Sequence, residues 1–275
     1  MNITGTTTVF GIFGDPVGHS MSPLMQNAAI EKMGYDGVYV PFHVHPEQLE
    51  AAVWSISSQN IRGINVTVPH KTTVMPHLDI LTEAACAVGA VNTIINDDGA
   101  LIGDNTDVYG FVQGLLREDG IDAFPSSVCV IGAGGAARGA IYGCTTRDEV
   151  EEIFILNRTV EKAVAIANEF ETLTAKRITA LPMNPHEIMK VFSKAGLIVN
   201  TTSIGMHPNV DRTPVEDTSV FHSGHIVYDI IIPPLETRFL KEAAKRGART
   251  VGGLAMLAYQ GARSLSLWTG QDAPE

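Results

Sequence analysis

The sequence predicts an α/β protein, with layers of largely parallel strands covered by helices. Three observations predict it. Short apolar runs alternate with longer stretches of helical spacing from Thr8 to Thr269, the pattern of strands joined by crossover helices. One run, Ser127 to Ile131, leads straight into Gly132-Ala133-Gly134-Gly135-Ala136-Ala137-Arg138, a tight glycine turn between strand and helix. The 275 residues suit one large domain or two ordinary ones, at roughly 150 residues per domain.

The elements follow in order. Thr8 to Phe13 reads as a strand, followed by a loop rich in Gly and Pro. Ser22-Pro23 opens a helix, with Ser as the cap and Pro at the first helical position, and Gly34 ends it. Gly37 to Phe42 is a strand, Pro46 to Ser58 a helix, Gly63 to Val68 a strand and Thr82 to Val88 a helix. Gly89 to Asn96 and Ala100 to Gly103 read as strands around Asp97-Asp98-Gly99, a turn sequence. Asp107 to Glu118 is helical. After the glycine turn a helix runs to about Thr146, then a strand over Ile153 to Leu156, a helix over Val160 to Phe170 and a weaker strand near Ile178. Asn184-Pro185 caps another helix, and Leu197 to Asn200 and His225 to Ile231 are strands. Two helices, Leu235 to Arg246 and Leu254 to Thr269, flank a short strand at Arg249 to Val251.

Composition narrows the function. An apolar fraction of 45% excludes general disorder, and a charged fraction of 18% argues against a coiled coil. The 19 basic and 30 acidic residues give a formal charge of −11. That balance argues against a nucleic-acid partner, whose phosphates need clustered Lys and Arg, and leaves room for a local basic pocket for a small anion. Cys86, Cys129 and Cys144 are sparse and far apart, which makes neither a disulfide framework nor a CxxC motif and implies a reducing cytoplasm. Met1 to Ser20 lacks a basic start and is broken by Gly and Pro, unlike a signal peptide. No apolar stretch reaches the roughly 20 residues of a membrane span.

The glycine turn carries the strongest chemical signal. Gly132, Gly134 and Ala137 form G-x-G-x-x-A: the first glycine permits the turn, the second lets a pyrophosphate approach, and the small third residue lets helix and strand pack. The helix N-terminus then offers free N–H groups to the phosphates. The next strand ends at Asn157-Arg158-Thr159, with Lys162 a helical turn later. A neutral Asn replaces the acidic residue that binds an NAD ribose, and Arg158 with Lys162 suits a 2′-phosphate. This favours NADP. The bland alternative is that Asn157 caps a helix and Arg158 is a solvated charge.

Other segments are weaker alone. Gly63 to Lys71 ends a strand in polar residues and a lysine, at the edge where open α/β sheets bind ligands. Lys71 can donate a proton to a carbonyl undergoing reduction, or it is a surface charge. Asp107 either caps a helix or faces Lys71 and orients it. Ser20 and Ser22 put two hydroxyls at a helix start, where a carboxylate can rest. Asn92 can bond a hydroxylated ligand. Among nine histidines, His43 and His45 share one side of an extended segment, with His70 and His77 beyond. No Cys or carboxylate completes a metal-ligand spacing, so no metal site is expected.

Taken together, these segments resemble the shikimate dehydrogenase family. The matching stretches are Ser20 to Pro23, Gly63 to Lys71, Ala90 to Thr93, Asn105 to Asp107, Gly132 to Arg138, Asn157 to Thr159, Asn200 to Met206 and Gly252 to Gln260. The resemblance spans nearly the whole chain and implies two domains. Residues 1–107 with 238–275 would form an N-terminal α/β substrate domain to which the C-terminal helices return, and residues 108–237 a Rossmann-like, doubly wound NADP domain. It implies reversible hydride transfer between NADPH and 3-dehydroshikimate, a step toward chorismate and the aromatic amino acids. Lys71 and Asp107 match the catalytic pair. Ser20 and Ser22 match the hydroxyls that hold the substrate carboxylate, and Thr67, Asn92, Asp107 and Gln260 match groups around the ring. The cofactor contacts fall on Gly132, Ala133, Gly134, Gly135, Ala136, Asn157, Arg158, Thr159, Lys162 and Thr201, with Met206 and Gly253 near the nicotinamide. The expected partner is the small-molecule substrate, with no nucleic acid and no membrane, for a monomer or homodimer.

One position departs from the family. In Tyr228-Asp229-Ile230-Ile231-Ile232-Pro233-Pro234 the family's usual tyrosine falls on Ile232, so a phenol at the substrate rim is missing. Shikimate remains the implied substrate. Quinate, an amino analogue, or the substrate of a reshaped paralogue are the enzymatic alternatives, and a non-catalytic NADP-binding sensor is the alternative from another class.

Overall fold

A computed structural model describes residues 3–117 and 121–274. The chain forms two compact units, residues 1–110 with 258–275 and residues 111–257.

The first unit holds β1 (Thr8–Gly14), α1 (Ser22–Met33), β2 (Gly37–His43), α2 (Leu49–Ser58), β3 (Gly63–Val66), β4 (Ile80–Leu81), α3 (Glu83–Val88), β5 (Thr93–Asp97) and β6 (Ala100–Asp104). Its sheet runs β2-β1-β3-β5-β6-β4. Strands β2, β1 and β3 are parallel, as crossover helices require. Strands β5 and β6 are antiparallel, with Asp97 opposite Ala100. Asp98 and Gly99, both at positive φ (49° and 100°), make the two-residue turn between them. Period-two alternation sorts the side chains of β1. Phe10 and Ile12 pack with Ile30, Leu265 and Trp268, while Phe13 packs with Val53 and Ile56 of α2. Each such fully buried side chain contributes about 1.5–3 kcal/mol.

Helix α4 (Asp107–Leu116) begins in the first unit and ends in the second. The second unit continues with β7 (Ser127–Ile131), α5 (Gly135–Thr145), β8 (Glu152–Asn157), α6 (Val160–Glu171), β9 (Arg177–Pro182), α7 (Pro185–Phe192), β10 (Leu197–Asn200), β11 (Ile226–Asp229), α8 (Arg238–Lys245) and β12 (Arg249–Gly252). Helix α9 (Gly253–Thr269) returns the chain to the first unit. The sheet order is β12-β11-β10-β7-β8-β9, all parallel, the doubly wound arrangement. Both faces are covered, so its central strands β7, β8, β10 and β11 are buried along almost their whole length. Val128 and Val130 face Ala140, Ala163 and Phe111, and Cys129 and Ile131 face Ile188, Phe192 and Phe239. Strand order reverses between β7 and β10, which places the crevice of such folds at their carboxyl ends.

Several expectations need correction. Residues 238–257 belong to the second unit, because β12 pairs with β11 from Ile226–Arg249 to Asp229–Gly252. The other boundary falls after Gly110. Ser22 lies inside α1 and Met21 holds the cap position, while the Ser20 hydroxyl accepts from the Ser22 N–H at 3.2 Å. Strand β3 stops at Val66, and β5 starts only at Thr93 because Gly89, left-handed at φ 68°, closes α3. Helix α8 starts at Arg238, since Thr237 caps it by accepting from the Leu240 N–H. The short β4 gave no sequence signal. Helix α4 is described to Leu116, and Glu118 lies outside the described residues. All three cysteines are free, and burial pushes the Cys129 and Cys144 thiols up. No described helix is long and apolar enough to cross a membrane.

Candidate active site

In the first unit one hydrogen-bonded network gathers most of the predicted substrate groups. Lys71 Nζ donates to Asp107 Oδ2 at 2.6 Å. Asp107 is the first residue of α4, where the helix dipole favours a carboxylate. Its other oxygen accepts from Asn92 Nδ2 at 2.9 Å. The same amide lies 3.0 Å from Thr106 Oγ1 and 3.5 Å from Gln260 Oε1, and Asn92 Oδ1 accepts from the Thr106 N–H at 2.8 Å. The backbone holds Lys71 as well: its carbonyl accepts from the Val91 N–H at 2.8 Å, and the buried His70 ring bonds to the Val44 carbonyl at 2.7 Å.

Behind this front lies a layer the sequence reading did not single out. Asn65 Nδ2 donates to the Asn92 carbonyl, Thr93 Oγ1 and Ser264 Oγ at 3.1, 3.2 and 3.0 Å. Asn65 Oδ1 accepts from the Tyr39 hydroxyl at 2.8 Å. Burial pushes the Tyr39 phenol above its ordinary range, so it stays a neutral donor. A continuous chain of hydrogen bonds thus runs from Tyr39 to Lys71. Asn65, Asn92, Thr93, Thr106 and Ser264 are buried, whereas the Lys71 and Asp107 side chains keep 33% and 25% of their surface exposed. The network is shielded except where a ligand would meet it. Gln260 and Ser264 show the available signal, two polar residues one turn apart on α9. Thr67 and Ser20 are half-buried, and neither shares a bond with Lys71 or Asp107 among the described residues.

In the second unit the glycine turn follows β7. Gly132 sits at φ 118°, and a Cβ there would stand 2.6 Å from Thr201 Oγ1; backbone conformation and close approach both demand glycine. Thr201 is held in turn, its N–H and hydroxyl donating to the Ile131 carbonyl at 2.9 and 2.7 Å. Gly134 and Gly135 face open space, and α5 has no side-chain cap, so its first-turn amides are left for an anion. Ala133 is half-buried and Ala136 exposed, while Ala137 is fully buried against the sheet. At the end of β8, the Asn157 amide donates to the Thr159 carbonyl at 2.8 Å. Arg158, Thr159 and Lys162 are exposed, and neither cation makes an ion pair among the described residues. Arg138 is committed elsewhere, paired in a fork with Glu169 at 2.8 and 2.5 Å. These groups fit a dinucleotide phosphate. Met206 is 40% exposed, and Gly253 is packed so closely on Ile230 that a Cβ would lie 2.6 Å from its carbonyl oxygen.

In the second unit Asp229 is a buried residue that the sequence reading left without a role. It accepts from Thr237 Oγ1 at 2.6 Å, Asn200 Nδ2 at 3.1 Å and the Ile231 N–H at 3.2 Å. Burial pushes its carboxyl up to about 6, and these three donors pull it down. Asn200 also accepts from the Thr202 N–H and hydroxyl at 3.1 and 2.7 Å, so Asp229 braces the loop holding Thr201 and Met206. Tyr228 is a core residue stacked on Phe111, centroids 5.3 Å apart, and Ile232 is half-buried.

Comparison with known proteins adds the family. The profile for the shikimate dehydrogenase substrate binding domain matches residues 12–94, that for shikimate/quinate 5-dehydrogenase matches residues 119–241, and that for the shikimate 5'-dehydrogenase C-terminal domain matches residues 253–275. A curated shikimate dehydrogenase (NADP(+)) from Desulforamulus reducens is 44% identical over 272 residues, covering 99% of this chain and 93% of the relative. The crystal structure of Listeria monocytogenes shikimate 5-dehydrogenase with shikimate and NAD superposes with a TM-score of 0.94 at 35% identity, covering 100% of this chain and 96% of that one. A shikimate dehydrogenase solved with NADP+ gives a TM-score of 0.90 at 39% identity, covering 99% and 93%. Near-complete coverage at this identity, on a matching two-unit α/β fold, establishes that the chain belongs to the shikimate dehydrogenase family.

Proposed function

We propose that the protein reversibly reduces 3-dehydroshikimate to shikimate with NADPH, a step toward chorismate and the aromatic amino acids. The observation that carries this reading is the Lys71–Asp107 pair, 2.6 Å apart, set on a buried amide and hydroxyl network and open on one side. Bound NADPH supplies the hydride. Lys71 gives a proton to the carbonyl oxygen as it becomes an alcohol, and takes it back in the oxidation. Asp107 keeps the ammonium in place and accepts from a ring hydroxyl. Asn92, Gln260 and Thr67 orient the remaining ring oxygens, while Ser20 and Ser22 donate to the carboxylate. A positioned acid of this kind contributes about 10²–10⁴ in rate.

The first unit carries these substrate groups and the second the cofactor groups. Gly132, Ala133, Gly134, Gly135 and Ala136 cradle the pyrophosphate. Asn157, Arg158, Thr159 and Lys162 receive the adenosine end, the two cations reading the 2′-phosphate. Thr201, Met206 and Gly253 line the nicotinamide end. Three free cysteines support a reducing cytoplasm, where the enzyme works as a monomer or homodimer on its small-molecule substrate. The test is Lys71→Ala: turnover of shikimate falls at least about 10²-fold while NADP binding stays at the wild-type level. Near-normal turnover would remove Lys71 from the proton-transfer role.

A further inference from the structure

The histidine pair His43 and His45 gains in space the carboxylate it lacks in sequence. Asp15, just past β1, brings Oδ1 to 2.6 Å from His43 Nε2 and Oδ2 to 3.3 Å from His45 Nδ1. The two imidazole centroids stand 4.6 Å apart, and one ligand atom from each of the three residues lies within 4.8 Å of the others. We propose that Asp15, His43 and His45 bind one divalent transition-metal ion of the zinc class.

Three arguments carry it. The first is donor chemistry. Two imidazoles and a carboxylate suit Zn2+, Co2+ or Ni2+, while Mg2+ and Ca2+ take oxygen ligands. The second is spacing. Ligand bonds of about 2.0–2.1 Å in a tetrahedral site put ligand atoms roughly 3.3 Å apart. Asp15 Oδ2 and His45 Nδ1 already have that separation, 3.3 Å, while His43 Nε2 sits 2.6 Å from the other carboxylate oxygen, and one ligand atom of each residue lies within 4.8 Å of the others. The third is preorganisation. Val44 is buried, 6% exposed, which turns its two neighbours outward on the same side. Its N–H donates to the Gly14 carbonyl at 3.1 Å and its carbonyl accepts from His70 at 2.7 Å, while the Asp15 N–H donates to the Val68 carbonyl at 3.2 Å. The backbone under all three ligands is therefore fixed without the ion. The His43 and His45 side chains are 52% and 61% exposed, so the ion has an entry path and keeps at least one coordination position for water. None of the three residues belongs to the proposed catalytic or cofactor machinery, so this inference stands apart from the assigned reaction.

Calorimetric titration of tag-free, chelator-treated protein with zinc chloride tests it, with magnesium chloride as the contrast. The expected result is one zinc equivalent at micromolar affinity, no heat from magnesium, and a thermal midpoint that rises with zinc, because only the folded state holds the site. His43→Ala and His45→Ala each weaken binding at least about 10-fold, and the double variant about 100-fold, the scale by which metal-site contacts act. Both positions are exposed, so the variants keep the wild-type circular dichroism spectrum. Absence of micromolar zinc binding, or unchanged binding in the double variant, overturns the proposal and leaves Asp15 with its histidines as a surface ion pair.

Discussion

In the first unit, most groups proposed to meet substrate already hold one another through their side chains; in the second, two of the glycines proposed to meet cofactor face open space and the two cations make no ion pair among the described residues. Lys71, Asp107 and Asn92 are bonded into a buried network, whereas Arg158 and Lys162 stand exposed and Gly134 and Gly135 face open space. The ligands explain the difference. A proton moves only over hydrogen-bond distance, so an acid must be placed beforehand, and a buried network is rigid when every member is satisfied. A polyanion is drawn by free backbone amides and cations over longer range, so its site can remain open.

That contrast can be broken, and the largest effect is expected in the paired region. Asp107→Ala should lower turnover at least about 10²-fold, and the Lys71→Ala/Asp107→Ala double variant should lose little more than either single one, because residues acting as a unit are non-additive. Multiplicative losses would show the two acting independently.

Next in size is Asp229, the buried carboxylate under the open site. Its carboxyl stands at about 6 against an ordinary 3.8. The stability tied to a neutral Asp229 is therefore full below pH 3.8 and is lost as pH rises through about 6. Asp229→Asn removes this dependence, so between about pH 4 and 7 the variant should gain on wild type by on the order of 2–3 kcal/mol. Urea unfolding of both proteins across that range checks it, and parallel curves would contradict it.

Arg158→Ala should raise KM for NADP about 10-fold or more and leave KM for NAD nearly unchanged, since a charged fork to a phosphate is lost in only one case. Equal effects on both would mean that Arg158 does not read the 2′-phosphate. The smallest effect belongs to Ile232→Tyr, which restores the family's phenol. One added hydrogen bond of about 0.5–1.5 kcal/mol should lower KM for shikimate roughly two- to tenfold.

Legibility followed the same division. The glycine turn, its flanking strand and helix, and the basic pair after β8 could be read locally, because phosphate binding uses contiguous backbone and neighbouring charges. The order of nearly every element was visible in apolar spacing. Hidden were the contacts that only folding brings together. Asn65, Tyr39 and Ser264 come from β3, β2 and α9, and Asp15 reaches His43 only through the pairing of β1 with β2. The allegiance of β12 was misread for the same reason: strand pairing with β11 decides it, and no local pattern encodes that partner.

The most direct test of the account offers shikimate and quinate separately to the purified protein, each with NADP+ and with NAD+, and follows the near-ultraviolet absorbance of reduced nicotinamide. Efficient turnover is expected with shikimate and NADP+ alone. Turnover of quinate, or of shikimate with NAD+, at a comparable kcat/KM would contradict it.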